Sequence, residues 1–167
     1  MYLIKITKRK WDRLNDSDWL QANEIQADPL GDLRPFDGRL SIWDICEDSS
    51  KLDEIIAALV LNTNDWNTFE YGLFDRNIPK ELGITIECII GKTPIPEANE
   101  YHRELIHLTT EMYTLFVNNV FLILKKERLY KDDIEKKVRI VASKIKVNEI
   151  YLNKKILPLF QNLMRNS

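Results

Sequence analysis

Residues 50–60 read SKLDEIIAALV, and the fold prediction starts from this stretch. Its large apolar residues recur every three or four positions, the spacing that places side chains on one face of a helix. They are Leu52, Ile55, Ile56, Leu59 and Val60. Ser50 is a residue type that caps helix N-termini. The pattern predicts an amphipathic helix, and its apolar face must pack against a second layer.

Strand-like segments lie on both sides of this helix in the sequence. Tyr2 to Ile6 and Phe69 to Leu73 alternate between two faces, and Ile84 to Ile90 form a β-branched run between two glycines. Asp37-Gly38 is a tight-turn dipeptide, because glycine accepts positive φ and aspartate tolerates it. We therefore predict a small, mainly antiparallel sheet covered by one helix, including a hairpin whose second arm is Arg39 to Ile45.

The second half of the chain changes character. From Glu97 onward there is no glycine, and apolar residues recur at helical spacing from Tyr101 to Leu115. A further helix is predicted to begin near Asp132, and Asn148 is a suitable cap for another. These signals predict a series of three to four helices after the sheet.

The predicted fold class is α+β, a small mainly antiparallel sheet with one covering helix, followed by a helical C-terminal part of three to four helices. We interpret residues 1–167 as a single domain, with a sheet-containing acidic part at 1–92 and a helical part at 93–167 that is basic toward the C-terminus. Residues 1–118 carry 12 Lys and Arg against 21 Asp and Glu, whereas residues 119–167 carry 12 against 5. This asymmetry predicts either different partners for the two ends or attraction between them within the fold.

The composition excludes several classes of protein. The chain is 44% hydrophobic and 30% charged, which is typical of a globular domain and not of a disordered one. The longest apolar run, Leu115 to Leu124, is far shorter than the ~20 residues of a membrane span, and no targeting segment is visible. The two cysteines, Cys46 and Cys88, are too few for a disulfide framework and are predicted to be buried. We expect a soluble cytoplasmic protein that does not bind membranes.

Glu104, His107 and Glu111 are the candidates for a catalytic site. Their spacing places them on one face of the predicted helix, and this is the basis of a hydrolase or nuclease hypothesis. The sequence contains no phosphate-binding loop, dinucleotide fingerprint or zinc-protease motif. Its two histidines and two scattered cysteines are too few for a transition-metal site. We therefore expect no metal and no cofactor, and a hydrolase or nuclease stays the second alternative to a non-catalytic function.

Residues 134–156 fit a loose helix-turn-helix pattern, although Lys146 occupies the turn position where glycine is usual. The small, apolar and polar residues that the pattern needs stand at Ala142, Ile145, Val147, Asn148, Leu152 and Ile156. Basic residues suited to phosphate contacts surround them: Lys136, Lys137, Arg139, Lys144, Lys154 and Lys155. The segment supports nucleic-acid binding as an alternative function, and an ordinary helical hairpin is the other interpretation.

The leading functional hypothesis is a non-catalytic binding or regulatory protein that acts through a protein partner. The chain lacks catalytic motifs, and Trp11, Trp19 and Trp66 stand in polar surroundings. Aromatic side chains ringed by polar ones are typical of protein-binding surfaces. These three tryptophans are therefore the predicted partner-binding residues, while the sequence predicts neither the partner nor the oligomeric state.

Overall fold

The computed structural model describes residues 1–6, 36–45, 49–64, 66–123 and 125–165. The strands within these residues are β1 Tyr2–Ile6, β2 Leu40–Asp44, β3 Thr68–Phe74, β4 Thr85–Cys88, β5 His102–Ile106 and β6 Lys125–Tyr130. The helices are α1 Ser49–Leu61, α2 Asn77–Glu81, α3 Pro96–Asn99, α4 Thr110–Ile123, α5 Lys131–Ala142 and α6 Leu157–Arg165, and a 3-10 helix spans Glu149–Tyr151. In this described part, six strands form one sheet in the order β4-β5-β2-β1-β3-β6, with every neighbouring pair antiparallel.

Strand β1 lies inside the sheet and is hydrogen-bonded on both sides, to β2 and to β3. Its side chains alternate between two apolar cores, with Leu3 in one and Tyr2, Ile4 and Ile6 in the other. A strand that is buried on both faces needs apolar residues at nearly every position. Lys5 is the exception in β1, and its side chain is half-buried on the same face as Leu3.

Helices α1, α5 and α6 cover the first face of the sheet, the face toward which Leu3 points. The predicted stripe of α1 packs here, and Ile55 and Ile56 are fully buried. From α5, Ile134 and Val138 enter the same core. The three helices and the sheet together exclude water from this core, which is the main source of stability in such a layered fold.

Helices α2 and α4 cover the second face, toward which Ile4 points. Phe116 of α4 is fully buried, and its ring lies edge-on to the ring of Phe74 with the ring centroids 5.5 Å apart. Ile78 of α2 is buried in the same core. The sheet is therefore the middle layer of three, with helices on both of its faces.

Several local predictions are confirmed. The strand at residues 2–6, the helix of residues 50–60 and the strand at residues 69–73 are all present. Asp37 and Gly38 have φ angles of 50° and 71° and turn the chain toward β2, the predicted second arm. The first arm of that hairpin, before residue 36, lies outside the described residues.

The predicted helical C-terminal part is wrong. Strands β5 and β6 lie within it and belong to the sheet, because β5 pairs with β2 and β4 while β6 pairs with β3. Helices and strands therefore alternate along the chain, and residues 93–167 do not form a separate helical part. The prediction of one covering helix is also wrong, since helices cover both faces. The apolar residues between Tyr101 and Leu115 keep a helical spacing although they belong to a strand, a turn and a helix. This spacing led to the wrong prediction.

The structure bears on two further sequence predictions, the burial of the cysteines and the lack of a membrane span. Cys88, which was predicted to be buried, is exposed on the edge strand β4, while Cys46 lies outside the described residues. None of the described helices is long and apolar enough to cross a membrane.

The packing of α5 on the first face can be tested by comparing a buried and an exposed isoleucine of that helix. Ile134 is 1% exposed and Ile140 on the same helix is 40% exposed. We expect Ile134→Ala to lower the free energy of unfolding by ~2–5 kcal/mol, because it leaves a cavity in the core. Ile140→Ala should change it by only about 0.5 kcal/mol. Urea denaturation of both variants measures the difference, and equal effects would contradict the position of α5.

Candidate functional site

The predicted catalytic residues do not share a helix face. Glu104 lies on β5, and His107 is exposed in the turn after that strand with a φ angle of 56°. Glu111 lies in the first turn of α4. The predicted arrangement is wrong because β5 ends at Ile106 and the chain turns before α4 begins. Among the described residues, no three His, Cys, Asp or Glu side chains are grouped closely enough to hold a metal ion.

The predicted helix-turn-helix is also absent from the described residues. Helix α5 ends at Ala142, and only a single 3-10 turn lies between it and α6. Asn148 does cap that turn, because its side-chain oxygen accepts a hydrogen bond from the backbone N–H of Ile150 at 3.2 Å. Leu152 and Ile156 are buried as anchors of an irregular segment, not of a second helix. No α-helix within residues 148–156 is therefore available to enter a DNA groove.

Among the basic residues from β6 onward, some form ion pairs within the fold and others face the solvent. Lys137 forms an ion pair with Asp53 of α1, and Lys126 and Arg128 pair with Glu70 on the neighbouring strand β3. The other basic residues predicted to contact nucleic acid are exposed: Lys136, Arg139, Lys144, Lys154 and Lys155. The C-terminal cations thus partly neutralise the acidic N-terminal part and partly face the solvent.

The tryptophans predicted to bind a partner are not found on a described surface. Trp66 is 3% exposed and belongs to the core of the first face. Its indole Nε1–H has no hydrogen-bond acceptor among the described residues. Trp11 and Trp19 lie outside the described residues. The interpretation of Trp66 as a surface contact is therefore wrong, because its polar neighbours in sequence conceal a buried ring.

The sequence interpretation missed an exposed apolar surface near the C-terminus. Ile150 is 89% exposed and Tyr151 is 51% exposed, although both are large apolar side chains. They follow Glu149, which borders a groove of about 450 Å³ between the end of α5 and α6. This C-terminal groove is lined by the apolar residues Ala142, Ile145, Val147, Phe160 and Met164 and by the polar or charged residues Lys146, Glu149, Gln161 and Arg165. A groove of this kind beside exposed Ile and Tyr side chains is typical of a binding surface.

A second cavity, the sheet cleft, opens on the first face and has a volume of about 560 Å³. Its floor is formed by strands β1, β2 and β5 through Lys5, Ser41, Trp43, His102 and Glu104. Residues 89–93 and the C-terminal end of α1 form its walls. Burial lowers the pKa of the Lys5 ammonium below its ordinary value. Titratable groups with perturbed pKa values in a cavity are a marker of functional sites.

Residues 89–93 are hydrogen-bonded to α3 and pack closely on the floor. The Asn99 side-chain oxygen accepts hydrogen bonds from the backbone N–H and the hydroxyl of Thr93, both at 2.8 Å. A side chain at Gly91 would come within 2.9 Å of that same oxygen and 3.1 Å of Trp43, so only glycine permits this close approach. The wall of the sheet cleft is therefore set by the fold before any ligand arrives.

His102 is a buried histidine whose protonation state follows from its contacts. Its ring packs on Trp43 with centroids 4.9 Å apart, and Nδ1 lies 3.0 Å from the carbonyl oxygen of Ile89. A carbonyl only accepts, so Nδ1 carries the proton and donates it, and the neutral ring presents Nε2 as an acceptor. Burial, as the largest effect, lowers the pKa of His102 below 6.5.

No known protein family matches the chain, and neither the curated proteins nor the solved structures contain a match. The two cavities and their surroundings therefore provide the evidence on function.

The lowered pKa of His102 predicts how stability depends on pH. The unfolded chain binds a proton at this residue more readily than the folded chain, so stability is fully present above the unfolded pKa of about 6.5 and is lost as the pH falls below it. We expect the free energy of unfolding to fall between pH 7 and pH 5. His102→Gln should flatten this dependence, and His107→Gln, which changes an exposed residue, should not. Urea denaturation across the pH range measures both, and an unchanged slope in His102→Gln would contradict the assignment.

Proposed function

We propose that the chain is a non-catalytic binding protein that regulates or recruits a protein partner, and that the partner docks on the C-terminal groove and on Ile150 and Tyr151. The observation that carries the proposal is the 89% exposure of Ile150, which follows Glu149, a residue that borders the C-terminal groove. Exposed aliphatic and aromatic side chains gain free energy when a partner removes them from water. Exposed apolar patches rimmed by polar residues mark interaction sites on protein surfaces.

The segment that presents these two side chains is preorganised. The Asn148 side chain caps the 3-10 turn, and the Asn148 N–H donates to the carbonyl of Pro94 at 2.7 Å. On the other side of the turn, Leu152 is 7% exposed and Ile156 is fully buried. A surface that is already ordered loses little conformational entropy when a partner binds, which favours affinity.

The charge around the surface indicates the chemistry of the partner. Four exposed cations flank Ile150 and Tyr151 in the sequence, whereas Glu149 is the one acidic residue of residues 143–156. The cations are Lys144, Lys146, Lys154 and Lys155. An amphipathic partner segment fits both features, because its apolar side chains would fill the groove while its carboxylates meet the lysines.

Nucleic-acid binding by residues 134–156 is kept as the alternative because five of the six predicted basic residues are exposed. Two features of the surface favour a protein instead. The helix that would enter a DNA groove is not formed in this segment. Ile150 also stands among the lysines, and an exposed aliphatic side chain contributes nothing to phosphate contacts.

Affinity purification from the native host tests the proposal. We expect the double variant Ile150→Ser with Tyr151→Ser to lose the partner, with affinity reduced roughly 30-fold or more, because central aromatic and aliphatic contacts dominate interface energetics. Leu115→Ser is the matched control, since Leu115 is 45% exposed on α4, which covers the second face of the sheet. Quantitative mass spectrometry of the eluates compares the variants. Identical partner recovery by wild type and the double variant would contradict the proposal.

The nucleic-acid alternative is tested by measuring DNA binding of the purified protein. Fluorescence anisotropy with duplex DNA at about 150 mM salt should show little binding. Sub-micromolar binding would favour the alternative if replacing Lys144 and Lys154 by alanine lowers the slope of log affinity against log salt by roughly two.

A further inference from the structure

The charged side chains that line the sheet cleft are of two kinds, those paired with one another and those without an ion-pair partner among the described residues. Arg39 Nη1 lies 2.9 Å from Glu104 Oε2 and 3.2 Å from Glu87 Oε2, and it separates two carboxylates that stand directly opposite each other on β4 and β5. These three side chains therefore satisfy one another at the edge of the cleft. Lys5 and Lys92 also line the cleft, and neither has an ion-pair partner within the described part of the chain.

Lys5 differs from an ordinary surface lysine. Its side chain is half-buried on a strand inside the sheet, and this burial lowers the pKa of its ammonium. Its cross-strand neighbour on β3 is Tyr71, a buried phenol and not a carboxylate. A partly desolvated cation that faces an open cavity attracts an anion more strongly than an exposed one does, because the effective dielectric constant is lower there.

The remaining lining of the cleft determines what kind of anion fits. Ser41 and Asn62 are exposed and can donate hydrogen bonds. Ile90 offers exposed apolar surface, and Trp43 and Leu59, which are 5% and 9% exposed, also border the cleft. Ile90 is 77% exposed at the cleft, which gives an apolar ligand body a further contact. These groups suit a ligand with one charged end and one apolar end.

The wall that the end of α1 forms limits the negative charge that a ligand in the sheet cleft can carry. Leu59 and Asn62 mark the C-terminal end of that helix, where the negative end of the helix dipole disfavours negative charge. Glu104 adds a carboxylate to the floor. A singly charged carboxylate is therefore favoured over a phosphate, which carries more charge and would need a cluster of donors.

We propose that the sheet cleft is a binding site for a small organic monocarboxylate, with the Lys5 ammonium as its counter-ion and Trp43, Leu59 and Ile90 against its apolar body. This site uses residues other than the C-terminal groove, so it stands independently of the proposed protein partner.

Hexanoate is the probe, hexanamide is its neutral match, and inorganic phosphate tests the other anion class. Two-dimensional ¹H–¹⁵N NMR titrations of the full chain follow the backbone amides of Lys5, Ser41 and Glu104. We expect hexanoate to bind saturably in roughly the millimolar range, since small ligands have limited affinity. Lys5→Met should weaken it about 10-fold or more, because a charge-assisted contact is lost. Lys80→Met, which changes an exposed lysine on α2, should leave it unchanged.

Several results would overturn the proposal. They are equal binding of hexanamide, undiminished hexanoate binding by a folded Lys5→Met variant, stronger Lys5-dependent binding of phosphate, and no saturable shifts up to about 50 mM hexanoate. If Lys5→Met does not fold, the wild-type titration decides. Shifts confined to the cleft amides then support the site, and shifts spread over the amides near Lys80 contradict it.

Discussion

The burial of strand β1 on both faces is the constraint on which the rest of the structure depends. β1 is hydrogen-bonded to β2 and β3, and the helices on the two faces pack against its two sets of side chains. Leu3, Ile4 and Ile6 satisfy this constraint because they gain free energy on leaving water. Lys5 does not, since a partly desolvated ammonium that has no carboxylate partner among the described residues lowers stability.

A residue that lowers stability at the centre of a fold invites a functional explanation, because functional sites are where sequences depart from the choice that is best for folding. Lys5 lies beside the one described cavity whose wall is fixed by buried hydrogen bonds between Thr93 and Asn99. The residues beside the C-terminal groove also depart from the choice that is best for folding. There, Ile150 is exposed against the hydrophobic effect and is held in place by the buried anchors Leu152 and Ile156.

The elements that could be predicted from the sequence are those whose periodicity reports burial directly. The stripe of α1 and the alternation of β1 are of this kind. β6 could not be found in the same way, because it is an edge strand with the sequence KKERLY, and charged residues on an edge prevent pairing with other chains while hiding the alternation. β5 was missed because Leu105, Leu108 and Met112 keep a helical spacing across a strand, a turn and a helix. The sheet cleft could not be predicted at all, because its floor brings together residues about 100 positions apart in the sequence, from Lys5 to Glu104.

The pKa of Lys5 tests most directly whether this cation is held in a desolvated position at the centre of a doubly covered sheet. It can be measured by NMR detection of the lysine side-chain ¹³Cε and ¹⁵Nζ nuclei as a function of pH, with Lys5 assigned by its absence from a Lys5→Arg spectrum. A value below the ordinary 10.5 is predicted, because burial disfavours the charged form. A value at or above 10.5 would mean that Lys5 is solvated or paired with a carboxylate, and it would contradict both the burial of Lys5 and its role in the sheet cleft.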